Sequence, residues 1–318
     1  MFEVACVGIL CADVPAKPVD KLPEKGKLEL IHELQLQVGG CATNAAIGLS
    51  KIGIKTALIG KVGDDGFGRY LQETLKSEKV DISGLKVDGA VPTSASVVII
   101  SRDGERSILH CLGSNSRFSF EDVNTEIVRN SKILFIAGTF LMPEFDGEGT
   151  ARLVKFAADS GVVCCMDTAW DSTGQWMEKI EGSLTYLDWF LPSFEEAKEL
   201  SKEEKPEDMA RLFQMKGVKN VVIKLGKDGC YVKPASKKGF YVPTYNDVQV
   251  VDTSGAGDSF CAGFLTGLVK GWDLNMCAQF ANAVGSHCVM EIGTTTGIKP
   301  MEDIFRFLSE HESGVGIR

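Results

Sequence analysis

Val250-Val251-Asp252-Thr253-Ser254-Gly255-Ala256-Gly257-Asp258-Ser259-Phe260 joins an apolar strand end to a helix through a Gly-Ala-Gly turn. The helix that follows carries Phe260, Phe264, Leu265 and Leu268 on its apolar side. Backbone amides at a helix N-terminus lack intrahelical partners and carry positive partial charge. Small residues there let an anion approach those amides, so Gly255, Ala256 and Gly257 form a candidate anion hole. Asp258 falls in the first turn beside that hole. The helix end favours its charged form, and a placed carboxylate can take a proton from a hydroxyl. The plainer reading is a capping acid next to a tight turn; two aspartates bracketing Gly-Ala-Gly between strand and helix favour the chemical one.

Outward from this joint, short apolar runs alternate with helical patterns. Val4–Leu10, Thr56–Ile59, Ile133–Ala137, Val162–Met166, Trp189–Leu191 and Val221–Lys224 are rich in Val and Ile and mostly do not alternate. That is the pattern of parallel strands covered on both faces. Helices are expected at Ala42–Ile52, Phe67–Ser77, Gly149–Asp159, Pro206–Lys216, Ala256–Val269, Asn275–Met290 and Met301–Glu310. In the first of these, Ala45, Leu49 and Ile52 make one stripe. The fold class is α/β, a doubly wound, mostly parallel sheet flanked by helices. Leu28–Val38 and Ser94–Cys111 break the rhythm. The first alternates, and the second holds two runs around an Arg102-Asp103-Gly104 turn. They suggest a small sheet projecting from the main one, or else edge strands of it.

A net charge of −9 and a pI near 5.1 argue against nucleic acid or an anionic membrane as partner. An anion bound here needs local amides and a metal. The ten cysteines include no Cys-x-x-Cys pair and several lie in apolar runs, which suits free thiols in a reducing compartment. Met1–Leu10 has no basic residue before its apolar run and suits a buried strand better than a signal peptide. No run approaches the roughly 18 apolar residues of a membrane helix. A cytoplasmic enzyme is expected.

Asp252-Thr253-Ser254-Gly255-Ala256-Gly257-Asp258-Ser259-Phe260 resembles the C-terminal signature of the ribokinase-like (PfkB-type) carbohydrate kinases. Gly39-Gly40-Cys41-Ala42-Thr43-Asn44-Ala45-Ala46, followed by Gly53 and Gly63, resembles their N-terminal signature. The two stand in the expected order, and the resemblance spans nearly the whole chain. It implies an ATP-dependent sugar kinase with Asp258 as base, in one ribokinase-like domain over 1–318. It also implies that the irregular strands, at about 14–38 and 91–112, form a β lid over the acceptor that can pair two copies into a homodimer.

Residue by residue, the resemblance assigns Asp13, Gly39, Gly40, Asn44 and Gly138 to the acceptor. A carboxylate such as that of Asp13 suits adjacent hydroxyl donors. It assigns Lys224, Gly226, Gly229 and Asn282 to the nucleotide, although many members carry Thr where Lys224 stands. Mg²⁺ would accompany ATP near Glu196, where Ser193 replaces the usual Asn. Asp252 and Ser254, with carbonyls near Gly293, would border a monovalent cation such as K⁺. Cys11 stands where many sugar kinases have Asn, and Asp167 lacks the Asn and Arg that often follow it. No acceptor is named on these residues.

Other chemistries find less support. There is no G-x-x-x-x-G-K-[ST] and no G-x-G-x-x-G after a strand, and His32, His110, His287 and His311 are scattered without ligand spacing. Two alternatives stay open: a nucleoside kinase of the same family, and a catalytically silent sugar-binding or regulatory protein on the same scaffold.

Overall fold

The chain leaves its first strand, β1 (Phe2–Gly8), for a second sheet through Ile9 and Leu10. The computed structural model describes residues 1–102 and 105–314. At the crossing, the Asn115 side chain accepts from the Leu10 amide (3.3 Å) and donates to the Leu10 carbonyl (2.9 Å). A buried backbone between two sheets thus keeps both its polar groups paired.

β2 (Cys11–Lys17) then receives β3 (Glu33–Leu34) and β4 (Gln37–Gly39) in one antiparallel register. The alternation at Leu28–Val38 yields these two short strands rather than one. Pro15 faces the gap: it has no N–H, and only its carbonyl bonds across, to the Gln35 amide at 3.2 Å. Leu28 and Leu30 lie outside any strand and are exposed.

Next come α1 (Cys41–Ile52), β5 (Thr56–Gly63), α2 (Gly66–Ser77), β6 (Asp81–Asp88), β7 (Ala95–Ile100) and β8 (Arg106–Cys111). β5 is buried throughout, and the Asp65 side chain caps α2 by accepting from the Gly68 amide. β7 and β8 pair antiparallel as the hairpin reading expects; its Asp103-Gly104 turn lies outside the described residues. The second half follows as α3 (Thr125–Arg129), β9 (Ser131–Thr139), α4 (Glu148–Asp159), β10 (Val163–Thr168), α5 (Met177–Leu184) and β11 (Trp189–Phe190). It continues with α6 (Phe194–Ser201), α7 (Pro206–Met215), β12 (Asn220–Lys224), β13 (Cys230–Lys233) and β14 (Phe240–Val242). It ends with α8 (Ala256–Lys270), α9 (Leu274–Val289) and α10 (Met301–Gly314).

The main sheet runs β14-β13-β12-β11-β10-β9-β1-β5-β6. β12 through β6 are parallel, and only β13 and β14 are antiparallel. Two apolar layers cover its faces. Ile47, Leu75, Phe264, Phe280 and Ile304 lie in one; Val128, Leu153, Ile180, Ala197 and Phe213 lie in the other. The chain order reverses between β1 and β9, and ligands of open α/β sheets bind beyond the strand ends at such a switch. The small sheet, β3-β2-β7-β8 with β4 on β2, stands beside it.

Candidate active site

Two helices point their N-termini into the space beyond the switch. α1 begins at Gly40 and α8 at Gly255, and neither end has a side-chain cap. Gly255 is left-handed (φ 73°), and a Cβ there would lie 2.3 Å from the Thr294 carbonyl oxygen, so the turn accepts no other residue without moving that loop. The Ala256 amide turns back to the Thr253 carbonyl (3.4 Å), and the Ser259 amide bonds Gly255. Among the described residues, no acceptor bonds the amides of Gly257 and Asp258.

Asp258 Oδ2 accepts a 2.8 Å hydrogen bond from Asn44 Nδ2, and Asn44 Oδ1 accepts from the Thr294 hydroxyl at 2.9 Å. Burial pushes the Asp258 carboxyl above the usual range, while the Asn44 bond and the Lys224 charge pull it down. The helix end was expected to keep this acid easily ionised; desolvation outweighs that effect. Asn44 thus links Asp258 to Thr294.

Lys224, at the end of β12, lies 2.5 Å from Asp167 Oδ2 at the end of β10. Burial works against the ammonium, but Asp167, Cys261 and Glu196 around it hold its pKa above the ordinary lysine range. Glu196 forms a capping box with Ser193 at the start of α6 and accepts from the Thr168 hydroxyl at 3.1 Å. Ser193 therefore serves the helix here, where the resemblance has Asn near the metal.

A cavity of about 390 Å³ lies against this end of α8, lined among others by Lys224, Tyr245, Val250, Gly257 and Asn282. The turn between β12 and β13 and the loop after β14 build its wall. Gly229 (φ 86°) packs against the Val242 carbonyl, and Asn282 Nδ2 donates to the carbonyls of Val242 (3.1 Å) and Pro243 (3.0 Å). Asn282 shapes this wall by bracing it. Gly226 (φ 58°) opens the short turn before β13.

On the other side of the same turn, a second cavity is lined by Asp13, Lys17, Gln37, Asp252, Ser254 and Thr294, among others. Its roof is one face of the small sheet. The registers Gln37–Asp13, Asp13–Ser96 and Ser96–His110 set four polar side chains in a row across four strands. Cys11 Sγ donates to Asp13 Oδ1 (3.2 Å) and Ser96 Oγ lies 3.1 Å from His110 Nδ1. Ser96, His110 and Thr294 had no motif to betray them; the strand registers bring in the first two, and the loop at 293–294 brings in Thr294.

Gly39 gives the Asp13 carboxylate its room, since a Cβ there would be 2.0 Å from Oδ2. Gly40 (φ 91°) and Gly138 (φ 82°) answer instead to packing: a Cβ would meet the Ile9 carbonyl in one case and the Ile9 side chain in the other. Asp252 accepts from the amides of Ser254 (2.9 Å) and Gly293 (3.0 Å) and ties the turn to the 293–294 loop.

Residues 1–301 match the family described as pfkB family carbohydrate kinase. The chain belongs to the pfkB family. Along its whole length it is similar to the 5-dehydro-2-deoxygluconokinase of Geobacillus kaustophilus, at 28% identity and covering 96% of that protein. It is also similar to the 2-dehydro-3-deoxygluconokinase of Bacillus subtilis, at 27% identity over 90% of this chain and 91% of that one. The Arabidopsis thaliana ribokinase solved with ribose and ATP superposes with a TM-score of 0.86 at 26% identity, covering 96% of this chain and 98% of that one.

Proposed function

We propose that Asp258 is the general base of phosphoryl transfer from ATP to a hydroxyl of a small sugar or sugar-like acceptor, sugar acids included. The observation that carries this reading is the position of its turn. Thr253, Ala256 and Gly257 line one cavity, Asp252 and Ser254 line the other, and Asp258 follows at the uncapped end of α8. We assign ATP to the larger of these two cavities and the acceptor to the space beneath the small sheet, with hydroxyls on Asp13 and Asn44.

Asp258 takes the proton of the acceptor hydroxyl, and that oxygen forms a bond to the terminal phosphorus of ATP. The bond from phosphorus to the bridging oxygen breaks, and ADP leaves with that electron pair. The Gly257 and Asp258 amides face the negative charge carried on the transferring group. Among the described residues no three His, Cys, Asp or Glu side chains gather into a metal-binding group. A divalent ion therefore fits as part of the nucleotide, with Glu196 as the nearby acid. Bound Mg²⁺ supplies charge neutralisation on the phosphates. A K⁺ ion beside Asp252 and the carbonyls of Ser254 and Thr294 would steady the same turn.

The small sheet is read as a lid that excludes water from the acceptor. Its other face is apolar, with Val14, Val97 and Leu109 in register across three strands, and we assign that face to a second copy of the chain. The ten thiols are free and most are buried, which suits a cytoplasmic location. No helix among the described residues is long and apolar enough to cross a membrane.

ADP formation from MgATP, in K⁺ and in Na⁺, across sugars, sugar acids, polyols and nucleosides tests this reading. Turnover confined to a sugar-like class is the expected result. Turnover with nucleosides alone reassigns the acceptor, and binding without turnover on any compound leaves a sensor.

A further inference from the structure

Asp167 is, with Asp146 and Asp171, a buried acid that the reaction above does not use. Three bonds fix its carboxylate: Oδ1 accepts from the Thr168 amide at 2.8 Å, and Oδ2 accepts from Lys224 Nζ at 2.5 Å and from the Cys261 thiol at 3.3 Å. Its side chain is 3% exposed and that of Lys224 is 11% exposed. A buried ion pair is weak support for stability, because desolvation opposes the Coulomb gain. This pair has a direction, however. Lys224 lines the nucleotide cavity and Asp167 does not. The ammonium lies against the anion hole, 3.5 Å from where a Cβ on Gly257 would stand.

We propose that Asp167 is a positioning residue that holds the Lys224 ammonium against Gly257, where it meets the terminal phosphate of bound ATP. The inference rests on the kinase reading and adds a link to it. β12 ends on Lys224 and β10 ends one residue past Asp167, and Cys261, in the first turns of α8, binds the pair to the helix that carries the base. The lysine therefore needs little reorganisation when the polyanion arrives.

Calorimetric binding of MgATP and MgADP to the wild-type chain, Asp167→Asn, Lys224→Met and the double variant tests it without knowledge of the acceptor. A charge aimed at the terminal phosphate contributes to ATP binding more than to ADP binding. The ratio of ATP to ADP affinity should fall about tenfold in Asp167→Asn. It should fall by a similar factor in Lys224→Met, and no further in the double variant, because the two act as one unit. Asp167→Glu, which keeps the charge, should restore most of the ratio. A merely structural Asp167 would weaken both nucleotides alike. An unchanged ratio in Asp167→Asn, or losses that multiply in the double variant, overturns the proposal. If Asp167→Asn does not fold, an unchanged ratio in Lys224→Met overturns it equally, and a fall there that Asp167→Glu shares in part upholds it. A wild-type chain that binds no MgATP sinks the kinase reading beneath it.

Discussion

Asp258 sits between opposed influences, and their balance can be measured. Burial raises its pKa, while the Asn44 hydrogen bond and the Lys224 charge lower it. The active form of a base is deprotonated, so activity is lost as pH falls through its pKa. With the pKa raised, the acid limb of kcat/KM should lie above the value near 4 of an ordinary aspartate. Removing Asn44 takes away a group that favours the carboxylate, so Asn44→Ala should move the limb to higher pH. A pH–rate profile checks both points, and a limb at or below that ordinary value, unmoved in Asn44→Ala, contradicts the assignment. At this scale the sequence told much about Asp258 and Gly255, because a helix start and its turn are local. It told nothing of the Asp167–Lys224 pair, whose members are distant in sequence and meet only beyond the ends of β10 and β12, with β11 between them.

At the scale of elements, the buried strands and the long helices announced themselves through apolar runs and helical stripes. β6, β13 and β14 did not. β6 is an edge strand and mostly not fully buried, and β13 and β14 are short. The split of β3 from β4 follows from Pro15 on the facing strand, a cross-strand effect that no reading of 28–38 alone contains. The small sheet has two unlike faces because side chains alternate along its strands. Asp13 lines the cavity, with Ser96 and His110 in register on the same face, and Val14, Val97 and Leu109 lie on the other. A second copy on the apolar face would form an isologous pair, and a charge at its centre should break it. Sedimentation of the wild-type chain should show a dimer, and Val97→Lys should shift it to monomer. A wild-type monomer at micromolar concentration contradicts that assignment.

For the molecule as a whole, alternating strands and helices implied a mostly parallel sheet but not the order of its strands. That order puts the reversal between β1 and β9, where the ends of α1 and α8, the small sheet and the β12–β13 turn come together. The two cavities then share a single turn, residues 252–257. The central claim is that the carboxylate at the end of this turn takes the acceptor proton. Its most direct test is Asp258→Asn, assayed for phosphoryl transfer to an acceptor that the wild-type chain uses and for MgATP binding. Transfer should fall about 10²–10⁴-fold, as for loss of a positioned base, with MgATP affinity within a few-fold of wild type. Transfer at the wild-type rate in Asp258→Asn would contradict the account.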